Sequence, residues 1–148
     1  MSEASDSFKS TKSGHIEQFK LPANTSELII FTMSDSSGET AESVARAALV
    51  QFEPGHASIY RLPQVRSASQ IPALVKEIAN RGSIIAYTLV LPEYRETLEA
   101  EANKYKIPTI DLLGPLIGRI SHLTGTTPLY QPGRLHLLDE TYFSRIEA

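Results

Sequence analysis

Four short apolar segments alternate with four segments of helical periodicity between residues 27 and 125, and no other feature constrains the fold as strongly. The apolar segments are ELIIFTM, HASIYRL, SIIAYTLV and IPTIDLL, and each of the helical segments that follow is delimited by Gly or Pro. This alternation is typical of a parallel sheet covered by helices. We therefore predict an α/β fold of three layers, with a parallel four-stranded sheet in the order 2-1-3-4 and helices on both faces.

Two segments of different character flank this α/β domain of residues 27–125. Residues 1–26 are rich in Ser, Lys, Glu and Thr, which predicts a disordered tail. Residues 126–148 begin with a Pro- and Gly-rich stretch that predicts a linker or arm. The start of a helix is then predicted from Asp139, with Leu138, Tyr142, Phe143 and Ile146 on its apolar face. Because that apolar face reaches the last turn, we expect the natural chain to continue into a further domain. If Tyr142 and Phe143 are left uncovered, they favour association into a homodimer.

Composition argues against several classes of function. The net charge is −3 without a dense Lys/Arg cluster, so nucleic-acid binding is not favoured. The chain has no Cys, which excludes disulfides and thiolate metal sites, and its four His residues lack metal-ligand spacing, so no metal is predicted. No apolar run approaches the roughly 20 residues of a membrane span, and the N-terminus lacks the apolar core of a signal peptide. We expect a cytoplasmic protein without a membrane partner.

The loop after the first predicted strand, SDSSGET, is the strongest candidate for a binding site. Ligands bind beyond the carboxyl ends of the strands in sheets of this kind, and a helix N-terminus attracts anions. Gly38 permits a tight turn, and the loop's Ser and Thr residues supply hydroxyl groups. A purely structural interpretation stays open, because Ser36 and Glu39 have the spacing of a capping box. Elsewhere in the chain, Asp111 ends the fourth strand, and the best anion partners are Arg119, Arg134 and Arg145, unless these arginines are simply exposed.

Four strings, SDSSGETAE, YTLVLPE, IDLLGPL and PG..H.LDETYFSRIEA, occur in an order and spacing that resemble one family of proteins. These are the regulatory proteins of pyruvate, phosphate dikinase and of phosphoenolpyruvate synthase, and the resemblance covers about residues 29–148. It implies a bifunctional serine/threonine kinase and phosphorylase. Such an enzyme phosphorylates a threonine of its target with ADP as donor, and removes that phosphate with inorganic phosphate, giving pyrophosphate. The SGETAE string looks more like the dikinase branch.

The resemblance also implies which parts of the enzyme this chain carries. In the family, a second domain holds a glycine-rich loop ending in Lys-Thr-Pro that binds the nucleotide phosphates. This chain has no Gly-Lys dipeptide, so we expect an N-terminal domain that is inactive alone and binds no cofactor, with ADP and phosphate as co-substrates of the whole protein. The implied partners are the dikinase or the synthase, and the chain's own second domain.

The resemblance further implies a group of site residues at the junction with the second domain, whose individual roles stay open. Leu137 stands where the family often has a basic residue, so an anion contact by that position is in doubt. The expected residues are Ser34, Asp35, Ser36, Gly38, Glu39, Thr40, Asp111, Gly114, His136 and Asp139.

Two other functions stay open at the level of sequence. One is a non-catalytic α/β module that docks a target protein or senses phosphate. The other is a small stand-alone enzyme of flavodoxin-like shape with a bound flavin, which the placement of aromatic residues and glycines supports poorly.

Overall fold

The computed structural model describes residues 27–137, and the predicted tail of residues 1–26 and the predicted helix from Asp139 lie outside them. Strands and helices alternate strictly along this part of the chain. In chain order they are β1 Leu28–Ser34, α1 Glu39–Leu49, β2 Ala57–Leu62, α2 Ile71–Ile78, β3 Ser83–Thr88, α3 Pro92–Lys104, β4 Thr109–Asp111 and α4 Gly114–Thr124. Short 3-10 turns occur at Ala68–Gln70 and Arg134–Leu137.

The four strands form one parallel sheet in the order β2-β1-β3-β4, which confirms the predicted fold class and strand order. Right-handed crossovers in this order place α1 on one face and both α2 and α3 on the other. The register pairs Ser34 at the end of β1 with Thr88 at the end of β3. The loops that follow these two central strands therefore leave the sheet side by side.

The hydrophobic core lies between the two central strands and the α2–α3 pair. Phe31 and Met33 of β1 and Ile85 of β3 are fully buried, because a central parallel strand is covered on both faces. On the helices, the side chains that complete the core cluster include Ile71, Leu74, Val75, Ile78 and Leu98. Each such side chain contributes about 1.5–3 kcal/mol on burial, so this core fixes the positions of the strand ends.

The sequence has apolar residues at helical spacing in and after α1, but the face that this helix buries is narrower; the residues are Ala41, Val44, Ala45, Ala48, Leu49 and Phe52. Of the residues at helical spacing, Ala41 and Ala45 are buried, whereas Val44 is exposed and Phe52 lies beyond the end of the helix with 65% of its surface exposed. The small side chains of Ala41 and Ala45 let the helix backbone lie close to the sheet. The larger apolar side chains of Val44 and Phe52 lie beyond this contact and stay exposed. The buried part of α1 is therefore limited to its small side chains.

The fourth helix packs much less than the others. It has no buried residue, and Leu116, Ile120 and Leu123 expose one apolar stripe at positions i, i+4 and i+7. Among residues 27–137, none of the helices combines the length and the apolar composition that crossing a membrane requires.

Candidate functional site

A cleft of about 330 Å³ opens at the carboxyl edge of the sheet, beyond the ends of β1 and β3. One wall is the loop from Ser34 to Thr40, and the opposite wall is the arm that follows α4. Thr88, Val90 and Leu113 contribute the rest of the lining, together with Gln131, Gly133, Arg134 and Leu135 of the arm. The structure thus brings together six of the residues expected at the site: Ser34, Asp35, Ser36, Gly38, Glu39 and Thr40.

The serines of the loop stabilise its own turn. Ser34 Oγ accepts a hydrogen bond from the Ser36 N–H (3.0 Å), and Ser36 Oγ accepts one from the Ser37 N–H (2.6 Å). Gly38 then takes the left-handed conformation (φ 88°) that favours glycine and precedes the first helical residue. The N-cap residue of α1 is Gly38, which has no side chain to cap the helix, and the Glu39 N–H donates instead to Ser37 Oγ (3.4 Å), so the predicted capping box of Ser36 and Glu39 is wrong. The physical reason is that the helix begins only at Glu39, whereas the Ser36 hydroxyl accepts its hydrogen bond from the adjacent Ser37 N–H.

The second strand and the segment that follows it brace this loop. The Ser34 and Ser36 carbonyl oxygens accept hydrogen bonds from the Val65 and Gln64 N–H groups (2.9 and 2.8 Å). Arg61 donates from Nη2 to the Ser37 carbonyl oxygen (2.7 Å) and pairs through Nη1 with a carboxylate of α1. The loop is therefore held in one shape before any ligand arrives.

Asp35 joins the loop after β1 to the loop after β3. Its Oδ2 accepts hydrogen bonds from the Val90 N–H (2.9 Å) and the Leu91 N–H (3.3 Å). Burial raises the pKa of this carboxyl group above its ordinary value, although the two backbone donors and the nearby Arg95 act in the opposite direction. Asp35 consequently acts as a clamp between two segments that both line the cleft.

The arm brings a positive charge to the cleft. Gly133 takes a left-handed conformation (φ 75°), and a Cβ at this position would lie only 3.9 Å from Ser36 Oγ. Arg134 follows it, lines the cleft and donates from Nη1 to Gln131 Oε1 (2.7 Å). Of the arginines considered from the sequence, Arg134 is thus at the site, whereas Arg119 lies on α4 away from the cleft. Arg145 lies outside the described residues.

Asp111 and Gly114 occupy a neighbouring position instead of the cleft. Asp111 Oδ1 accepts hydrogen bonds from the Leu113 N–H (3.1 Å) and the Gly114 N–H (2.7 Å), which satisfies the start of α4. A Cβ at residue 114 would overlap Asp111 Oδ2 and lie 2.8 Å from an Arg95 nitrogen, so a larger residue here would displace these side chains. Asp111 borders a depression against α3 that includes Arg95 and Glu99.

The other two expected residues follow the arm. His136 belongs to the 3-10 turn Arg134–Leu137, directly after the part of the arm that lines the cleft. Asp139 lies outside the described residues. No group of three or more His, Asp or Glu residues that could hold a metal ion occurs within residues 27–137.

Sequence reasoning did not assign a role to Thr88 or to Gln131, and it missed Arg61 as a brace. Thr88 carries a recognisable signal, because it is the last residue of the strand next to β1 and so must end at the same edge. No sequence signal marks Gln131 or Arg61, since only the folded arm and the pairing of β2 with β1 bring them to the loop.

Hydroxyl groups, an uncapped helix N-terminus and a guanidinium thus meet at the carboxyl edge of a parallel sheet. This combination defines an α/β domain with a candidate site for a small anion.

The chain belongs to the kinase/pyrophosphorylase family, whose model matches residues 30–148. It is 45% identical over 123 residues to a protein of Bacillus subtilis, and 43% identical over 120 residues to a protein of Geobacillus kaustophilus. It is 38% identical over 120 residues to a protein of Carboxydothermus hydrogenoformans. All three relatives carry the provisional name pyruvate, phosphate dikinase regulatory protein. The matches cover 81% of this chain but only 43–45% of the relatives, so the chain spans less than half of their length.

Proposed function

We propose that this chain is the N-terminal part of a bifunctional enzyme that regulates pyruvate, phosphate dikinase. In one direction, a threonine hydroxyl oxygen of the dikinase attacks the β-phosphorus of ADP, the bond to the bridging oxygen breaks, and AMP leaves. In the other direction, an oxygen of inorganic phosphate attacks the phosphothreonine, and pyrophosphate forms as the threonine hydroxyl is regenerated. The proposal assigns the nucleotide phosphates to a second domain and the cleft described above to the junction with it.

One observation carries this proposal: each of the four sequence strings that resemble the family supplies at least one residue to the same cleft. The loop of residues 34–40 comes from the first string, and Thr88 and Val90 come from the second. Leu113 comes from the third, and Gly133 and Arg134 come from the fourth. Segments that are far apart in the chain and meet at one cleft are better explained by a shared site than by four separate structural needs.

The chemistry of the cleft suits phosphoryl transfer. Catalysis of this reaction depends mainly on positioning the reactants and on stabilising negative charge on the phosphoryl oxygens. Helix N–H groups, hydroxyls and Arg134 can do both, and the bracing by Arg61 and Asp35 holds them in place beforehand. The cleft opens at the edge of the sheet, where a second domain can close over it.

The test uses a chain extended to the full length of the relatives, together with purified dikinase. We expect ADP to support phosphorylation of one dikinase threonine, seen as a mass increase and a loss of dikinase activity. We expect inorganic phosphate to reverse both changes with release of pyrophosphate. The 148-residue chain is the matched control and should do neither. Absence of phosphate transfer by the extended chain in both directions would contradict the proposal.

A second candidate is a docking or phosphate-sensing module without catalysis. It is favoured by the contacts of Asp35, whose Oδ2 accepts two backbone hydrogen bonds and so holds two loops of the cleft together. This alternative predicts that the extended chain captures the dikinase from solution while transferring no phosphate.

A further inference from the structure

The floor of the cleft contains a threonine hydroxyl group with no hydrogen-bond partner among the described residues. Thr88 is only 7% exposed and lines the cleft, and its side chain donates to and accepts from no other group within residues 27–137. Its neighbour in the sheet, Ser34, is buried to a similar degree but uses its hydroxyl to accept from the Ser36 N–H. Among the described residues, the fully buried side-chain oxygen without a partner is that of Thr32, so the Thr88 hydroxyl is open to the cleft, where a ligand can complete its bonding.

The N-terminus of α1 faces the same cleft with unsatisfied amides. The helix has 11 residues and no side-chain cap. Within the described part of the chain, the N–H groups of Gly38 and Thr40 have no hydrogen-bond partner, whereas the Glu39 N–H donates to Ser37 Oγ (3.4 Å). These donors and the positive end of the helix dipole are suited to an anion. Arg134 on the opposite wall adds a full positive charge with a planar set of donors.

The carboxylates of the cleft limit how much negative charge it can accept. Asp35 contributes one of them, with Oδ2 turned to the backbone of the β3–α3 loop, and Glu39 adds another at the exposed rim. These carboxylates repel a ligand with several phosphate groups more strongly than a ligand with one. The volume of about 330 Å³ is at the small end of ligand sites, which also favours a small ligand.

We propose that the floor of the cleft is a subsite for a single phosphate group, bound by the Thr88 hydroxyl, the first amides of α1 and the guanidinium of Arg134. The biological meaning of the subsite rests on the proposed function, since free inorganic phosphate and a phosphothreonine side chain present the same group. The subsite itself is a property of this chain and is open to test without any second domain.

The test is a titration of the ¹⁵N-labelled 148-residue chain with sodium phosphate at constant ionic strength, followed by NMR. We expect the amide signals of Gly38 and Thr40 to shift and to give a dissociation constant. Thr88→Val should weaken phosphate binding about 2- to 10-fold, as expected for one neutral hydrogen bond. Arg134→Gln should weaken it at least about tenfold, as expected for a charged one.

Matched variants separate binding from folding. Thr88→Ser retains the hydroxyl and should retain phosphate affinity. Thr97→Val removes a threonine hydroxyl that bonds the Glu93 carbonyl oxygen on α3, and Arg119→Gln removes a charge on α4; neither should change phosphate affinity. A Thr88→Val chain that fails to fold leaves the Arg134→Gln and Thr88→Ser results to decide.

Further titrations identify the source of the phosphate group. Binding of a phosphothreonine peptide at least as tight as that of inorganic phosphate identifies the target side chain as the ligand. Tighter binding of inorganic phosphate identifies the attacking phosphate. Binding of ADP or pyrophosphate tighter than both would overturn a single-phosphate subsite.

Two other results would also overturn the subsite. One is the absence of any shift of the amide signals at about 10 mM phosphate, a concentration at which even a ligand with a dissociation constant of about 1 mM would bind. The other is equal phosphate affinity in the wild type and in both the Thr88→Val and Arg134→Gln variants. Phosphate transfer by the extended chain is measured in a separate experiment. Loss of the phosphate subsite would therefore leave the proposed function untouched, and loss of phosphate transfer would leave the subsite untouched.

Discussion

Replacing Asp35 tests whether one carboxylate holds the two loops of the cleft together. Asp35→Ala leaves the Val90 and Leu91 N–H groups without their acceptor. Asp35→Asn keeps a carbonyl oxygen in the same place and removes only the charge. The two variants therefore separate loss of the hydrogen bonds from loss of the buried charge.

The expected magnitudes follow from the partial burial of the site. An unsatisfied buried donor costs about 1–3 kcal/mol, and because water can reach this half-buried position we expect about 2 kcal/mol in total for Asp35→Ala. For Asp35→Asn we expect a change within about 1 kcal/mol, since a weaker acceptor is offset by relief of the desolvation that raises the pKa of Asp35.

Urea denaturation followed by circular dichroism measures both changes in the free energy of unfolding. With a slope of about 1–3 kcal/mol per molar for a small domain, Asp35→Ala should lower the midpoint by about 1 M. Glu53→Ala, an exposed carboxylate in the turn after α1, is the control and should change the free energy by less than about 0.5 kcal/mol. Equal destabilisation by Asp35→Ala and Asp35→Asn would refute the role of the two hydrogen bonds.

The pH dependence of the free energy of unfolding is a second, independent test of the Asp35 carboxyl group. Because the pKa of Asp35 is higher in the folded state than its ordinary value of 3.8, the folded chain binds the proton more tightly than the unfolded chain. This group's contribution therefore makes the wild type more stable as the pH falls through the raised pKa, and the gain is complete below 3.8. The stability of the wild type relative to Asp35→Asn should rise between pH 7 and about pH 4. A constant difference over that range would contradict the raised pKa.

Two further substitutions test features of the sheet and of α4. Gly114→Ala should lower the free energy of unfolding by about 1–3 kcal/mol, because its Cβ would overlap Asp111 Oδ2. The control is Gly118→Ala on the same helix, whose Cβ meets nothing within 4 Å, and this variant should be neutral or stabilising. If Gly118→Ala unfolded at a lower temperature than Gly114→Ala, the close approach at residue 114 would be disproved. Thr32→Val should raise the free energy of unfolding by about 1 kcal/mol, since Thr32 Oγ1 is buried without a hydrogen-bond partner in the described residues. A denaturation midpoint below that of the wild type would show that this hydroxyl is hydrogen-bonded in solution.

The sheet was predictable because it depends on patterns that each segment carries by itself. The continuous apolar character of ELIIFTM and SIIAYTLV identified the two central strands, and their burial in the structure follows from the same residues. The position of the SDSSGET loop at the carboxyl edge follows from parallel topology alone. For the same reason, the loop residues from Ser34 to Thr40 lie together beside the cleft.

The details of the site depend on contacts between segments, which no local pattern contains. The capping box failed because the hydroxyl of Ser36 has a nearer donor, the Ser37 N–H. Asp111 was grouped with the loop residues because both follow strands, yet it turns to the start of α4. Arg134 was weighed as an anion partner, but only the path of the arm shows that it reaches the cleft.

The two walls of the cleft come from opposite ends of the described chain, and this has a consequence for the order of folding. The loop after β1 can form early, but the arm can meet it only after all four strands are assembled, since contacts between distant segments carry the largest loop-closure cost. The cleft should then be among the last parts to form and the first to open, by release of the arm while the sheet persists. A ligand bound between the walls would stabilise the chain against this opening in proportion to its occupancy, and hydrogen exchange of the arm would report its arrival before any change reached the core.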